Sequence, residues 1–401
     1  MAEVNQRMLG YGNVRSAIRD LFEFGNQRAA EIGRENVYDY SLGNPSVPSP
    51  DCVKDAIIDL VENMDSVSLH GYTSAPGDAG VRQMIADDIK KRFGADVDSS
   101  LIYMTCGAAA SLTISLNALT CSPEDEFIAI APFFPEYRVF AETAGGKFVV
   151  VPADTEKFLI NFDALEKAVN PHTKGVIINS PNNPSGVIFS PEIIKRLCSL
   201  LRERSEQYGH DIYLISDEPY RELVYDDGAV VPYLVNEYDA AIVCYSFSKS
   251  LSMPGERIGY VLVSPKMKDA GDVYAAIAGA GRALGYVCAP SMMQRVVSRC
   301  LGQTGDIEIY KTNRDLLYKS LTDMGYTCIY PDGAFYMFVK CPIPDALEFS
   351  MAARKYELLL VPSDSFGVDG FVRLAYCVST DMIRRSLPAF RKLAEEFGLS
   401  K

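Results

Sequence analysis

A chain of 401 residues is too long for one hydrophobic core and predicts two or three domains. Its 52 acidic against 39 basic residues give a net charge of −13, which argues against a nucleic-acid-binding surface, since that needs basic clusters. At 48% hydrophobic and 23% charged the composition is that of an ordinary globular protein.

The first 24 residues alternate charged and apolar residues at helical spacing and hold no apolar core of signal-peptide length. Ten cysteines occur without a C-x-x-C pair, so neither a zinc knuckle nor a dithiol redox motif is signalled. These features predict a cytoplasmic protein with reduced, mainly buried thiols. Five strand-length apolar runs follow at Phe127–Ala131, Lys147–Val151, Gly175–Asn179, Ile212–Ser216 and Ala241–Tyr245. Helical patterns lie between them, for example Pro191–Arg204, with Ser190 as N-cap and proline at the first helical position. Such alternation predicts an α/β fold with a mostly parallel sheet covered by helices on both faces. The apolar stretch from Tyr274 to Pro290 is broken by Gly279, Gly281, Arg282 and Gly285, which does not suit a membrane span. Beyond Pro290 the pattern changes to long helices, a stop at Gly325, strands at Tyr326–Tyr330, Ala334–Lys340 and Phe371–Tyr376, and helices at Asp345–Tyr356 and Thr380–Phe397. The expected division is a large domain over 46–290 and a smaller α+β domain from 1–45 and 291–401.

Three successive predicted strands end in polar constellations: SPNNPSG (180–186), DEPYREL (217–223) and SFSKS (246–250). In open α/β sheets ligands collect at the carboxyl ends of the strands, so these loops should share one rim. Ser246-Phe-Ser-Lys249 fits two chemistries. An S-x-x-K acyl hydrolase would need S-D-N and K-T-G companions downstream. The nearest matches, Ser216-Asp217-Glu218 upstream and Lys311-Thr312-Asn313 in a helical pattern, do not supply them. The alternative is an imine-forming lysine with an anionic aldehyde cofactor. Arg257 offers a fork of donors for a phosphate, Ser246 and Ser248 offer hydroxyls, and Gly107-Ala108-Ala109 opens a helix whose free N–H groups suit an anion. Each is ordinary alone: a lysine is usually a solvated charge, and a glycine before a helix is usually only a helix start. Asp217 could be a turn carboxylate, or the partner that keeps a heterocyclic nitrogen protonated, with Tyr220 donating to the cofactor's phenolic oxygen.

At this point the chain resembles a known family. SLGNPS (41–46), GYTSAPGDAGVRQMI (71–85), TCGAA (105–109), APFFPEY (131–137), NSPNNPSG (179–186), SDEPYREL (216–223), SFSKSLSMPGERIGY (246–260), PDGAFYMF (331–338) and FVRLAY (371–376) appear in the order found in fold-type I pyridoxal-phosphate aminotransferases, the aspartate aminotransferase superfamily. The resemblance implies pyridoxal 5'-phosphate as cofactor, bonded to Lys249, which also shuttles the proton. It implies Asp217 at the ring nitrogen, Tyr220 and Asn183 at the ring oxygen, and Phe134 stacked on the ring. Gly107, Ala108, Ala109, Ser246, Ser248 and Arg257 would hold the phosphate. Tyr72 would reach the site of the neighbouring subunit in a homodimer. Arg373 would clamp the substrate α-carboxylate, with Asn183 and Gly43 assisting. Ala108 and Ala109 replace the polar side chains often seen in the phosphate cup, and Tyr137 stands where some members have a histidine supporting the aspartate.

The implied reaction is a ping-pong transfer of an amino group between an α-amino acid and a 2-oxo acid, with aspartate or glutamate and 2-oxoglutarate as the expected pair. Arg282, Arg15 and Arg19 are candidates for a distal carboxylate. A C–S β-lyase on the same scaffold is the nearest alternative. A non-catalytic cofactor-sensing regulator is more remote, since only 40 residues precede SLGNPS and the chain is acidic. His70, His172 and His210 are scattered, and no metal, membrane or nucleic-acid partner is expected.

Overall fold

The structure, a computed structural model, describes residues 3–13, 17–226 and 228–399. It divides into two units. The larger comprises the described residues of Pro45–Glu308 with Asp332–Ala334; the smaller comprises those up to Asn44, Ile309–Pro331 and those from Phe335 onward.

The larger unit is built on seven strands: β1 (Ile102–Thr105), β2 (Glu126–Ile130), β3 (Lys147–Val151), β4 (Thr173–Asn179), β5 (Tyr213–Glu218), β6 (Ala241–Ser246) and β7 (Gly259–Val263). Their order is β1-β7-β6-β5-β4-β2-β3. All neighbours run parallel except β7, which is antiparallel to both β1 and β6. Strands β1, β6 and β7 are buried at every residue, because helices cover both faces and leave no face for water. Helix α1 (Ala108–Leu119) lies over β5, β6 and β7, while the helix Ala79–Phe93 and its neighbours pack into an apolar cluster with Tyr245 and Tyr260 on the opposite face. The expected mixed α/β layer is therefore present, with β1 and β7 added to the five strands read from the sequence.

Local signals act as anticipated. Helix α2 (Glu136–Thr143) begins at the end of the APFFPEY segment, and α3 (Pro191–Tyr208) starts where Ser190 Oγ accepts from the Ile193 N–H at 3.4 Å and stops at left-handed Gly209. Helix α4 (Ala270–Leu284) ends at left-handed Gly285, and no described helix is long and apolar enough to cross a membrane. All ten cysteines are free, and only Cys121 is exposed.

The division differs from the expected boundary at 290. Helix α5 (Ser291–Ser298) groups with the larger unit because its polar side chains tie it there. Gln294 Oε1 accepts from the Asp78 N–H at 2.8 Å, and Ser291 Oγ donates to the Leu69 carbonyl at 2.8 Å. Asp332–Ala334 also joins the larger unit: the Gly333 N–H donates to the Gly186 carbonyl and the Ala334 N–H to the Leu223 carbonyl, both at 2.9 Å.

In the smaller unit, helices α6 (Ile307–Asp323, most of which lies here), α7 (Ala346–Arg354) and α8 (Thr380–Glu396) accompany a four-stranded antiparallel sheet. Its strands are β8 (Thr327–Cys328), β9 (Tyr336–Lys340), β10 (Val361–Pro362) and β11 (Phe371–Ala375), in the order β10-β11-β9-β8. Helix α8 begins at the Ser379 cap, whose hydroxyl accepts from the Met382 N–H.

Candidate active site

The three polar loops do leave the sheet at one rim. Asn179, Asp217 and Cys244 are register partners across β4, β5 and β6, so their strands end together. Parallel pairing delivers each following loop to the same edge.

Asp217 is buried at this edge. Its Oδ2 accepts a hydrogen bond from the Tyr137 hydroxyl at 2.5 Å, while Oδ1 is buried with no hydrogen-bond partner. Burial pushes the carboxyl up to about 7; the Tyr137 bond opposes that rise and the neighbouring Glu218 charge adds to it. Asn179 is a connecting residue to which the sequence reading gave no role. Its amide donates to the Asp217 carbonyl at 2.8 Å and its Oδ1 accepts from the Asn183 N–H at 2.7 Å, fixing the Asn183 loop to the Asp217 strand. That residue stood inside a quoted motif at a strand end, which was the available signal. Asn183 and Tyr220 are both buried, and Phe134 is half-buried with its ring edge-on to Tyr137 at 5.7 Å.

Lys249 sits in the one-turn helix Phe247–Ser250 directly after β6, half-buried among buried neighbours. Ser246 caps that turn: its hydroxyl accepts from the Ser248 N–H at 3.1 Å and donates to Ser248 Oγ at 2.7 Å. Arg257 Nη1 donates to Ser248 Oγ at 3.3 Å and to the Pro254 carbonyl at 3.0 Å. The same guanidinium lies against Gly107. A Cβ built there would fall 2.8 Å from Arg257 Nη2 and displace the guanidinium, and the residue's φ of +87° is one that side chains rarely adopt, so the backbone requires glycine. Gly107 precedes α1 without a side-chain cap, leaving the first-turn N–H groups at Ala108 and Ala109 beside the guanidinium. Gly107, Ala108, Ala109, Ser246, Ser248 and Arg257, scattered over 150 positions of sequence, are thus one cluster of donors.

Arg373 and Gly43 belong to the smaller unit. Arg373, on β11, is 2% exposed; its Nη2 donates to the Ser41 carbonyl at 2.6 Å, and its guanidinium lies 4.6 Å from the Tyr336 ring centroid and 5.2 Å from that of Phe366. A Cβ at Gly43 would overlap the Tyr336 hydroxyl. Tyr72 is 97% exposed, and Arg19 and Arg282 are exposed as well; Arg15 lies outside the described residues.

The donor set fits one kind of group. A buried carboxylate oxygen lacking a donor suits a cationic ring N–H, and the Arg257–serine–helix cluster suits a dianionic phosphate. Fold and site together define a pyridoxal-phosphate-dependent enzyme of fold type I. Comparison with known proteins agrees. A family model described as aminotransferase class I and II matches residues 35–390. An amino transferase from Eubacterium rectale is 55% identical, with a TM-score of 0.97 over 99% of this chain and 100% of that one. A probable N-acetyl-LL-diaminopimelate aminotransferase from Bacillus subtilis is 32% identical over 88% of each chain. Aspartate aminotransferase from Thermus thermophilus, solved with maleate, is 25% identical, with a TM-score of 0.84 over 98% of this chain and 100% of that one. The chain belongs to the aminotransferase class I and II family, and it is a transaminase that uses pyridoxal 5'-phosphate.

Proposed function

We propose that Lys249, Asp217 and Tyr220 are the reacting and ring-tuning residues of a transaminase that takes a dicarboxylic amino donor, aspartate or glutamate, with a 2-oxo acid such as 2-oxoglutarate. The observation that carries this reading is the bare Oδ1 of Asp217, a buried acceptor on the sheet rim that also carries Lys249. The bound cofactor supplies an electron sink for charge developing at the substrate Cα. The chain's residues do the rest. Asp217 would hold a ring N–H through Oδ1, Tyr220 and Asn183 would serve the ring oxygen, and Phe134 would cover the ring. Arg257, Ser246, Ser248 and the first turn of α1 at Gly107, Ala108 and Ala109 hold the phosphate. Lys249 Nζ would bind the cofactor and, as a neutral amine, would accept the proton from the substrate Cα.

Arg373 would take the substrate α-carboxylate, with the backbone at Gly43 of the same unit. Its strand position and flanking aromatic rings support that reading, since they fix the guanidinium's direction. The dicarboxylate preference draws support from the maleate, itself a dicarboxylate, held by the Thermus thermophilus relative. A homodimer to which Tyr72 contributes across the interface accounts for a tyrosine 97% exposed in the single chain.

The decisive test is borohydride reduction of the holoenzyme followed by peptide mapping. A pyridoxyl adduct at Lys249 is expected, and Lys249→Ala should abolish transamination while keeping the fold. An adduct elsewhere would overturn the assignment. Arg373→Ala should lower kcat/KM by roughly 1.5–3 kcal/mol equivalent. A panel of amino donors against 2-oxoglutarate, read by cofactor absorbance in each half-reaction, tests the dicarboxylate preference.

A further inference from the structure

We propose that Tyr137 is a positioning residue that ties the ring-covering Phe134 to Asp217 and leaves Oδ1 as the one carboxylate oxygen open to a ligand. This rests on the reading above, in which Asp217 meets the cofactor ring.

Three contacts carry it. The Tyr137 hydroxyl donates to Asp217 Oδ2 at 2.5 Å. Its backbone N–H donates to the Phe134 carbonyl at 3.1 Å. Its ring meets the Phe134 ring edge-on, with centroids 5.7 Å apart. One side chain, 1% exposed on α2, therefore sets the distance between the group expected on the ring face and the group expected at the ring nitrogen. A carboxylate with both oxygens bare could rotate to offer either; occupying Oδ2 removes that freedom before any ligand arrives, which is preorganisation.

The electrostatics agree with the geometry. The titratable groups that act on Asp217 are the Tyr137 phenol from α2, the Cys244 thiol from β6 and, from the opposite face of its own strand, the Glu218 charge. Tyr220 adds its field to Tyr137. Burial raises Tyr137 well above the ordinary phenol range, and the Asp217 charge adds to the rise, so the phenol keeps its proton and serves as donor. Burial also raises the Cys244 thiol, which stays neutral. Tyr137 is then the one facing group whose bond favours the ionised carboxylate; burial and Glu218 both oppose it.

Tyr137→Phe keeps the ring contact with Phe134 and deletes the donor. Two measurements read the result: retention of cofactor by the holoenzyme on dialysis, and the titration of Asp217 in the full chain freed of cofactor. The titration is followed by the carboxyl stretch in difference infrared spectra, assigned by its loss in Asp217→Asn. The expected result is an upward shift of the titration by about one to two pH units and cofactor affinity weaker by about 10- to 100-fold. Loss of packing alone would not move the titration. Tyr137→His, which restores an N–H donor, should recover most of the retention; a loss as large as that of Asp217→Asn overturns the proposal even if the Phe variant fails to fold. An unmoved titration and full retention in Tyr137→Phe, with Asp217→Asn still losing cofactor, overturns the role of Tyr137 and leaves the site reading intact. Full retention in Asp217→Asn overturns both.

Discussion

Asp217 and Glu218 are consecutive carboxylates on β5, both buried, and the pleat sends them to opposite faces of the sheet. On the Glu218 face the charge is settled within the chain. Arg221 Nε donates to Oε2 and Nη2 to Oε1 at 2.7 Å, and Ser216 Oγ donates to Oε1 at 2.8 Å. The Arg221 guanidinium also donates to the Val231 and Pro232 carbonyls, and it lies about 5 Å from the Phe93 and Tyr233 rings. On the Asp217 face one oxygen has a phenol and the other has nothing. Burial of a carboxylate costs free energy unless it is paired. The chain meets that cost on one side of the strand and leaves it unmet on the other, where the partner must come from outside. The difference separates an acid settled within the chain from one with an open acceptor more sharply than burial or sequence position does.

The largest test of this contrast is Arg221→Ala. It strands a buried Glu218 charge and should lower unfolding free energy by about 3–5 kcal/mol in denaturant titrations. A loss under 1 kcal/mol would mean that Glu218 is not held as described. Asp217→Asn should act with the opposite sign on the cofactor-free chain. Removing a carboxylate that lacks a partner should stabilise it by roughly 1–3 kcal/mol above pH 7 while abolishing productive cofactor binding. Destabilisation there would show that Oδ1 is satisfied within the chain. The smallest effect is a pH slope. The folded-state titration of Asp217 near 7 lies above the ordinary carboxylate value, so its contribution to stability is present at low pH and is lost as pH rises through 7. Melting temperatures of the cofactor-free protein should carry that loss between about pH 4 and 7, and Asp217→Asn should flatten it.

Most of the architecture was legible because the two-sided burial of a parallel sheet writes itself as unbroken apolar runs, and a helix start writes itself as a cap such as Ser190. Strands β1 and β7 escaped because Ile102–Thr105 is only four residues long, and because β7 follows so closely on the SFSK–Arg257 loop that its GYVLV run reads as part of it. The 290 boundary failed for a related reason: the pattern change there is real, but the hydrogen bonds of Gln294 and Ser291 assign the helix to the larger unit, and those partners lie more than 200 residues upstream.

By itself the sequence determined the element types and the order of the polar loops along one rim, and it placed a lysine just after one of those strands, since all of these follow from local periodicity and from the residues that close each strand. Only tertiary structure decided what each charge meets. That Arg257 lies against Gly107, that Tyr137 rather than any histidine supports Asp217, and that Glu218 is neutralised while its neighbour is not, all depend on distances between residues remote in the chain. Electrostatic energy is set by separation in space and by burial, and neither is written in the spacing of letters.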